Sequence, residues 1–284
     1  MPPSEQGSPR MPQTETKGLL IDLGVLNAEP ADEYHAKAGE YLSSHLLMDF
    51  MKSPRLYRRK VLGLARDRDT SAFFLGRATH VRILEGRRAF EAQYATDWPI
   101  NPTKGKPYHG NTKVVAEWKA AHGKPVLTPQ QTREIEELAA GVEMNDEAME
   151  LLRHGRSEGV LRTTYCETLC QSRFDWVHPN HGLVDLKTTA DLDYFAVHGR
   201  KYRYANQMAF YQAVLEAVIG EPVPVYVIAV EKQEPYRCGV WPFGKHTLTL
   251  ARRENEAAIR RLRVACERDE FPTGYEEMRT LDFP

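Results

Sequence analysis

The bulk of this sequence is poor in functional signatures. Only four of its 284 residues are cysteine (Cys166, Cys170, Cys238, Cys266), and they are scattered. That excludes a disulfide framework and fits reduced thiols in a cytoplasmic protein. No C-x-x-C pair with a matching second pair exists, so no zinc site is expected at Cys166 and Cys170. No apolar run reaches the length of a membrane span or a signal-peptide core, so no membrane partner is expected. The net charge is −1 with 27% charged residues, so any contact with a polyanion must come from a local patch. Low-complexity linkers and internal repeats are also missing. At 42% hydrophobic the composition is that of an ordinary globular protein. Residues 1–17, rich in Pro, Ser, Gln and Thr, read as a disordered tail, and 18–284 as a single domain with a helical N-terminal portion.

What is present is concentrated between Arg173 and Thr189. Two runs rich in apolar and β-branched residues, Arg173 to Val177 and Leu183 to Thr189, flank the turn-forming cluster His178-Pro179-Asn180-His181-Gly182. This predicts a β-hairpin. If it is symmetric about Asn180, Asp175 falls opposite Asp185. Opposed residues of an antiparallel ladder share a face, with Cβ atoms roughly 4.5–5.5 Å apart, and so do residues two apart on one strand. Asp175, Asp185 and Lys187 should then project together, with Arg173 opposite Lys187. Phe174, Trp176, Val184 and Leu186 should face the core.

Two carboxylates held that close repel unless something neutralises them, and an all-oxygen site suits Mg²⁺ or Mn²⁺. Such an ion polarises a phosphoryl oxygen and lowers the pKa of a bound water. Lys187 could orient that water or offset the charge that develops in the transition state. The layout is that of a metal-dependent phosphodiester hydrolase. A bare Asp-x-Lys strand is ordinarily a solvated face; the in-register Asp175 sets this one apart.

Hydrophobic periodicity gives the remaining elements. Helices are expected over 40–62, broken near Ser53-Pro54, and from Ser71 to about Tyr94 with Phe73, Phe74, Ala78, Val81 and Leu84 as the apolar stripe. Thr128-Pro129 caps a helix over 129–153 that turns Ile135, Leu138, Val142 and Met149 inward. Strands follow at 158–168, 171–178 and 183–189, then a helix over 191–198 opened by Asp191 or Asp193, and one over 202–219 stopped by Gly220. Strands from Pro222 to Val230 and Tyr236 to Trp241 precede a last helix over 246–268. Pro99 to Lys124 reads as a long loop whose Lys104, Lys106, Tyr108, Lys113 and Lys119 could touch a phosphate backbone. The order defines an α/β protein with a mixed central β-sheet flanked by helices.

Two further groupings carry chemistry. In Gly76-Arg77-Ala78-Thr79-His80 a glycine costs helix stability, which a close backbone approach would explain, and His80 is a candidate third ligand or proton-transfer group. In Gln207-Met208-Ala209-Phe210-Tyr211 the amide and the phenol share a helix face. They could hydrogen-bond a phosphate or buttress Lys187; each residue alone would more simply be a packed core position.

The ordered set Gly-x-x-x-His, an acid, Asp, Asp-x-Lys and Gln-x-x-x-Tyr resembles the RecB-like branch of the PD-(D/E)XK nucleases, and most of all the RecE-type exonuclease domain (exonuclease VIII) of phages and prophages. Ser43-Ser44-His45-Leu46 through Ser53-Pro54 resembles that family's entry segment, and Thr273-Gly274-Tyr275 with Leu281 to Pro284 resembles its tail. The resemblance implies a restriction-endonuclease-like core and Mg²⁺-dependent (or Mn²⁺-dependent) hydrolysis of double-stranded DNA ends, 5′ to 3′, in recombination. It implies metal ligation by His80, Asp175, Asp185 and the Leu186 carbonyl. Lys187 would be the catalytic lysine, and Gln207, Tyr211 and Arg173 supporting groups. An acid on the preceding strand is expected too, with Glu158 preferred and Glu167 the competitor. A single-strand annealing protein and a homo-oligomer are the implied partners. The iron–sulfur branch of the superfamily has one cysteine before the core and three after it. Cys166 and Cys170 lie inside the core, so no cluster is expected. The competing readings are an inactive DNA-end or partner-binding protein on the same fold, an endonucleolytic or end-trimming enzyme without a cluster, and a structural module.

Overall fold

The computed structural model of the protein describes residues 19–281; the expected tail over 1–17 and residues 282–284 lie outside them. In chain order the helices are α1 (Ala31–Ala36), α2 (Ser44–Lys52), α3 (Pro54–Val61), α4 (Ser71–His80), α5 (Arg87–Gln93), α6 (Lys113–His122), α7 (Pro129–Glu143), α8 (Asp146–Leu151), α9 (Phe195–Lys201), α10 (Tyr204–Ile219) and α11 (Lys245–Arg268). The strands are β1 (Asn27–Ala28), β2 (Ile100–Asn101), β3 (Lys106–Pro107), β4 (Arg156–Tyr165), β5 (Thr168–His178), β6 (Gly182–Thr189), β7 (Val225–Glu231) and β8 (Cys238–Pro242).

Six strands form a mixed sheet in the order β1-β4-β5-β6-β7-β8. Only β6 and β7 run parallel; every other pair is antiparallel. The parallel pair needs a crossover, and α9 with α10 supplies it. β7 (Val-Tyr-Val-Ile-Ala-Val-Glu) is a nearly continuous apolar run because both of its faces are covered. On one face α2, α10 and α11 pack over Leu161, Phe174, Val177, Leu183, Val227 and Ala229. On the other, α7 and α8 cover Val184, Leu186, Ile228 and Val230. Among the described residues no helix is long and apolar enough to cross a membrane.

Local chemistry sets the helix ends. Ser43 and Thr70 accept the N–H groups of Leu46 and Phe73, and Thr128 with Gln131 forms a reciprocal capping box ahead of α7. Gly220 ends α10 at φ 87°. The helix expected from Ser71 to Tyr94 is instead interrupted. Val81–Glu85 form a π-helical turn directly after His80, and Gly86 at φ 86° restarts the chain as α5. Phe73 is exposed rather than part of the stripe. The helix expected over 129–153 breaks where Asn145 caps α8 by accepting the Ala148 N–H, which leaves Met149 exposed. Neither Asp191 nor Asp193 opens α9. Asp191 accepts the Asp193 N–H in a turn, and Arg237 pairs with Asp193. The Pro99 to Lys124 stretch carries the β2–β3 ribbon and α6. A side chain at Gly76 would meet open space, so no close backbone approach explains that glycine.

The hairpin is symmetric about Asn180: Trp176 pairs with Val184, Val177 with Leu183 and His178 with Gly182. His178 Nδ1 accepts the N–H groups of both Asn180 and His181 and closes the turn. Gly182 is required twice over. Its φ is 92°, and a Cβ there would lie 2.3 Å from the Pro224 carbonyl oxygen. Gly182→Ala should destabilise the protein by roughly 1–3 kcal/mol in urea unfolding; an unchanged midpoint would contradict this account of the turn.

Candidate active site

The β5–β6 ladder stops one residue short of its two aspartates, after Trp176 and Val184. In place of the next backbone bond, the Leu186 N–H donates to Asp175 Oδ2 at 2.9 Å. The Asp175 carboxylate therefore sits in the gap where the strands part. On the other side of β5, Glu158 lies between the pairs Ser157–Trp176 and Gly159–Phe174, which puts it across from Asp175. Glu158 has φ 53°, a left-handed conformation uncommon for a side-chain-bearing residue. The alternation of β5 slips at this point: Phe174 packs with Val177 on the α10 side, while Trp176 joins the opposite layer. That corrects the expectation that Phe174 and Trp176 share a face.

His80, the last residue of α4, reaches the same gap, with Nδ1 3.5 Å from Asp175 Oδ2. One ligand atom each from His80, Glu158 and Asp175 lie within 4.8 Å of one another. Glu167, the competing acid, is exposed at the far end of the β4–β5 hairpin and paired with Arg263. Asp185 stands beside the trio but outside it. It is only 2% exposed, and neither of its oxygens has a hydrogen-bond partner. The Lys187 ammonium is 2.5 Å from Asp185 Oδ2, an ion pair without hydrogen-bond alignment. Arg173 is not opposite Lys187; its Nε lies 2.6 Å from Glu158 Oε2, because β5 pairs at that level with β4 alone.

The helical pair is bonded to itself. Gln207 Nε2 donates to the Tyr211 hydroxyl at 3.0 Å, and the Tyr211 ring meets Phe174 edge-on at 5.5 Å. The ring against Lys187 is instead Tyr204, with the ammonium 5.2 Å from its centroid. Tyr204 lies outside the Gln-x-x-x-Tyr motif. Its one sequence signal is its place three residues before Gln207, on the same face of α10. His45, in the entry segment, is exposed, yet desolvation by nearby protein atoms and then Lys187 push its imidazole below the usual range.

Crowding dominates the electrostatics. Burial first, then Asp175, raises the Glu158 carboxyl to about 7 against the pull of Arg173. Burial raises Asp185 to about 6, Lys187 opposing and Asp175 reinforcing. Asp175 is raised by burial too, although Lys187 and the Leu186 N–H favour its charged form. Burial works against the Lys187 ammonium, but Asp185 and Asp175 outweigh it and lift its pKa. His80 is lowered to about 4 by burial and by Lys187, with Asp185 and then the Leu186 carbonyl pulling the other way. Near neutral pH its ring is therefore uncharged and free to act as a ligand. Clustered, under-compensated carboxylates with a neutral imidazole and a buried, unpartnered Asp185 Oδ1 fit a divalent cation held by oxygen and nitrogen.

A mixed sheet with helices on both faces and Asp/Glu, Asp and Asp-x-Lys converging at a splayed hairpin defines the PD-(D/E)XK nuclease-like fold. The chain belongs to the family described as PDDEXK-like domain of unknown function (DUF3799), whose model matches residues 43–282. The fold is similar to the crystal structure of a "Putative exonuclease" from Eubacterium rectale, with a TM-score of 0.63 and 16% sequence identity over 91% of this chain and 96% of that one. No curated protein matches the sequence.

The raised acids make a linkage prediction. A carboxyl whose folded pKa lies above its unfolded value of about 4.3 favours the native state at low pH and loses that contribution as pH rises through the folded value. Glu158 makes this window run from about pH 4.3 to about 7. In EDTA, Glu158→Gln should raise stability at pH 8 by roughly 3–4 kcal/mol and leave it nearly unchanged at pH 4.5. A variant less stable than the parent at pH 8 would refute the assignment.

Proposed function

We propose that this protein is a Mg²⁺-dependent exodeoxyribonuclease of RecE type that resects double-stranded DNA ends. The observation that carries the reading is the convergence of His80, Glu158 and Asp175 within 4.8 Å of one another, beside the Lys187–Asp185 pair at 2.5 Å. His80, Glu158 and Asp175 would hold the cation, with the Asp185 carboxylate and the Leu186 carbonyl as further donors. Bound there, a divalent cation supplies Lewis-acid polarisation of a phosphoryl oxygen and a more acidic water.

The side chains do the rest. Asp185 and Tyr204 hold the Lys187 ammonium at the cluster, where it donates to a phosphoryl oxygen or to the attacking water and offsets charge in the transition state. The Leu186 N–H fixes Asp175 so that it need not reorganise as the reaction proceeds. Gln207 and Tyr211 brace Phe174 behind Asp175. Arg173 holds Glu158 in place. Water attacks phosphorus in line, and the P–O bond to the departing nucleotide breaks. Backbone contacts carry affinity without sequence information, so sequence specificity should be low.

The RecE resemblance supports the 5′-to-3′ direction, a role in phage-type recombination, a single-strand annealing partner and a homo-oligomer around DNA. Mg²⁺ is proposed over Mn²⁺ on the same basis.

Linear duplex labelled at either end should be degraded in Mg²⁺ from the 5′ end, with closed circular DNA resistant. Asp185→Ala should cut the rate by at least about 100-fold, on the scale of losing a transition-state electrostatic group, while unfolding stays cooperative. A parent protein inert on every DNA would overturn the enzymatic reading, and cleaved circles would replace the exonuclease with an endonuclease.

A further inference from the structure

The ring beneath Lys187 begins a row of aromatics that leads out of the cleft. Tyr204 packs on Tyr202, with centroids 6.0 Å apart and planes 29° from parallel, and rests on Phe195 at 5.9 Å. Tyr202 nevertheless keeps 54% of its surface exposed. Arg203, between the two tyrosines, has φ 55°, a costly conformation for a residue with a side chain. That turn lets residues two apart in sequence stack on one another. Lys201 places its ammonium 5.4 Å from the Tyr202 centroid. The run Arg200-Lys201-Tyr202-Arg203 holds three cations and no acid in a chain of net charge −1.

Each ingredient has its own chemistry. An exposed phenol ring is a stacking surface for any base, because every base has a π-face. Exposed, flexible cations on either side suit phosphates. Lys201 can leave the ring to a base while its ammonium reaches the backbone. The row ends at the lysine expected to meet the scissile phosphate, so the spacing joins a stacked nucleotide to the reacting one.

We propose that Tyr202 is a stacking platform for an unpaired nucleotide of the DNA strand whose phosphate lies at Lys187, with Arg200 and Lys201 on the adjoining phosphates. The identity of the ligand rests on the nuclease reading above. Inside a duplex each base face is covered by its neighbours, and only the outer face of the terminal pair is open. A ring beside a cleavage point within the strand can therefore stack on a base only where the strand is frayed or single. The site therefore takes DNA ends with unpaired terminal nucleotides, and a blunt end must open before it enters.

The test uses the full chain and a short duplex with a single-stranded overhang carrying a fluorescent base analogue. Binding is read in Ca²⁺, where turnover is not needed, and cleavage separately in Mg²⁺. The parent should quench the analogue and prefer the overhang to the blunt duplex. Tyr202→Ala should lose the quench and weaken overhang binding by about 5- to 100-fold, the range seen when a stacking aromatic is truncated. Tyr202→Phe should keep both. No quench in the parent, or equal quench and affinity in Tyr202→Ala, overturns the platform. A parent that cleaves DNA without a Tyr202-dependent quench loses the platform alone. A Tyr202-dependent quench without any cleavage keeps the platform and removes the nuclease reading.

Discussion

Three carboxylates share one cleft where β5 parts from β6, and their repulsion is the constraint to which the surrounding structure answers. Two like charges about 4–5 Å apart at an effective dielectric near 20 repel by roughly 3–4 kcal/mol. Lys187 offsets Asp185, and Arg173 offsets Glu158. Asp175 has a backbone N–H and a neutral imidazole beside it. The balance is incomplete, as the raised carboxyls of Glu158, Asp175 and Asp185 record. A protein keeps such a cluster at a cost to its own stability, and a hard cation bound there would offset that cost.

The fold meets this constraint by spoiling its own regularity in one place. The β5–β6 ladder ends early so that Asp175 can take a backbone donor. Glu158 adopts a left-handed conformation, and β5 changes the face it presents. α4 ends at His80 and gives way to a π-helical turn. Each departure lies at the cluster, while the apolar layers on both sides of the sheet stay regular and hold the distortions in place.

What the sequence made legible follows the same division. Turn residues fixed the hairpin centre, so its register could be counted from Asn180 without long-range information. Thr128-Pro129 and Gly220 located the start of α7 and the end of α10. Alternation failed at Phe174 because one left-handed residue on the neighbouring strand shifts which face a side chain meets. Arg173 was misplaced for a related reason: symmetry about the turn holds only while the ladder lasts. The preference for Glu158 over Glu167 rests on the resemblance and not on spacing, since the choice depends on the β4–β5 register, and the structure places Glu158 beside His80 and Asp175. Tyr204 left almost no local trace, because its contact with Lys187 joins α10 to β6 through the tertiary fold.

Manganese binding followed by electron paramagnetic resonance puts the cation-holding role of the cluster to the most direct trial, since it needs no DNA and no turnover. Affinity should climb as pH rises from 5 to 8, as protons leave Glu158 and Asp185, and Asp175→Asn should abolish binding while the protein stays folded. A parent that binds no manganese at pH 8, or an Asp175→Asn protein that binds it as tightly as the parent, would contradict a metal site at these residues.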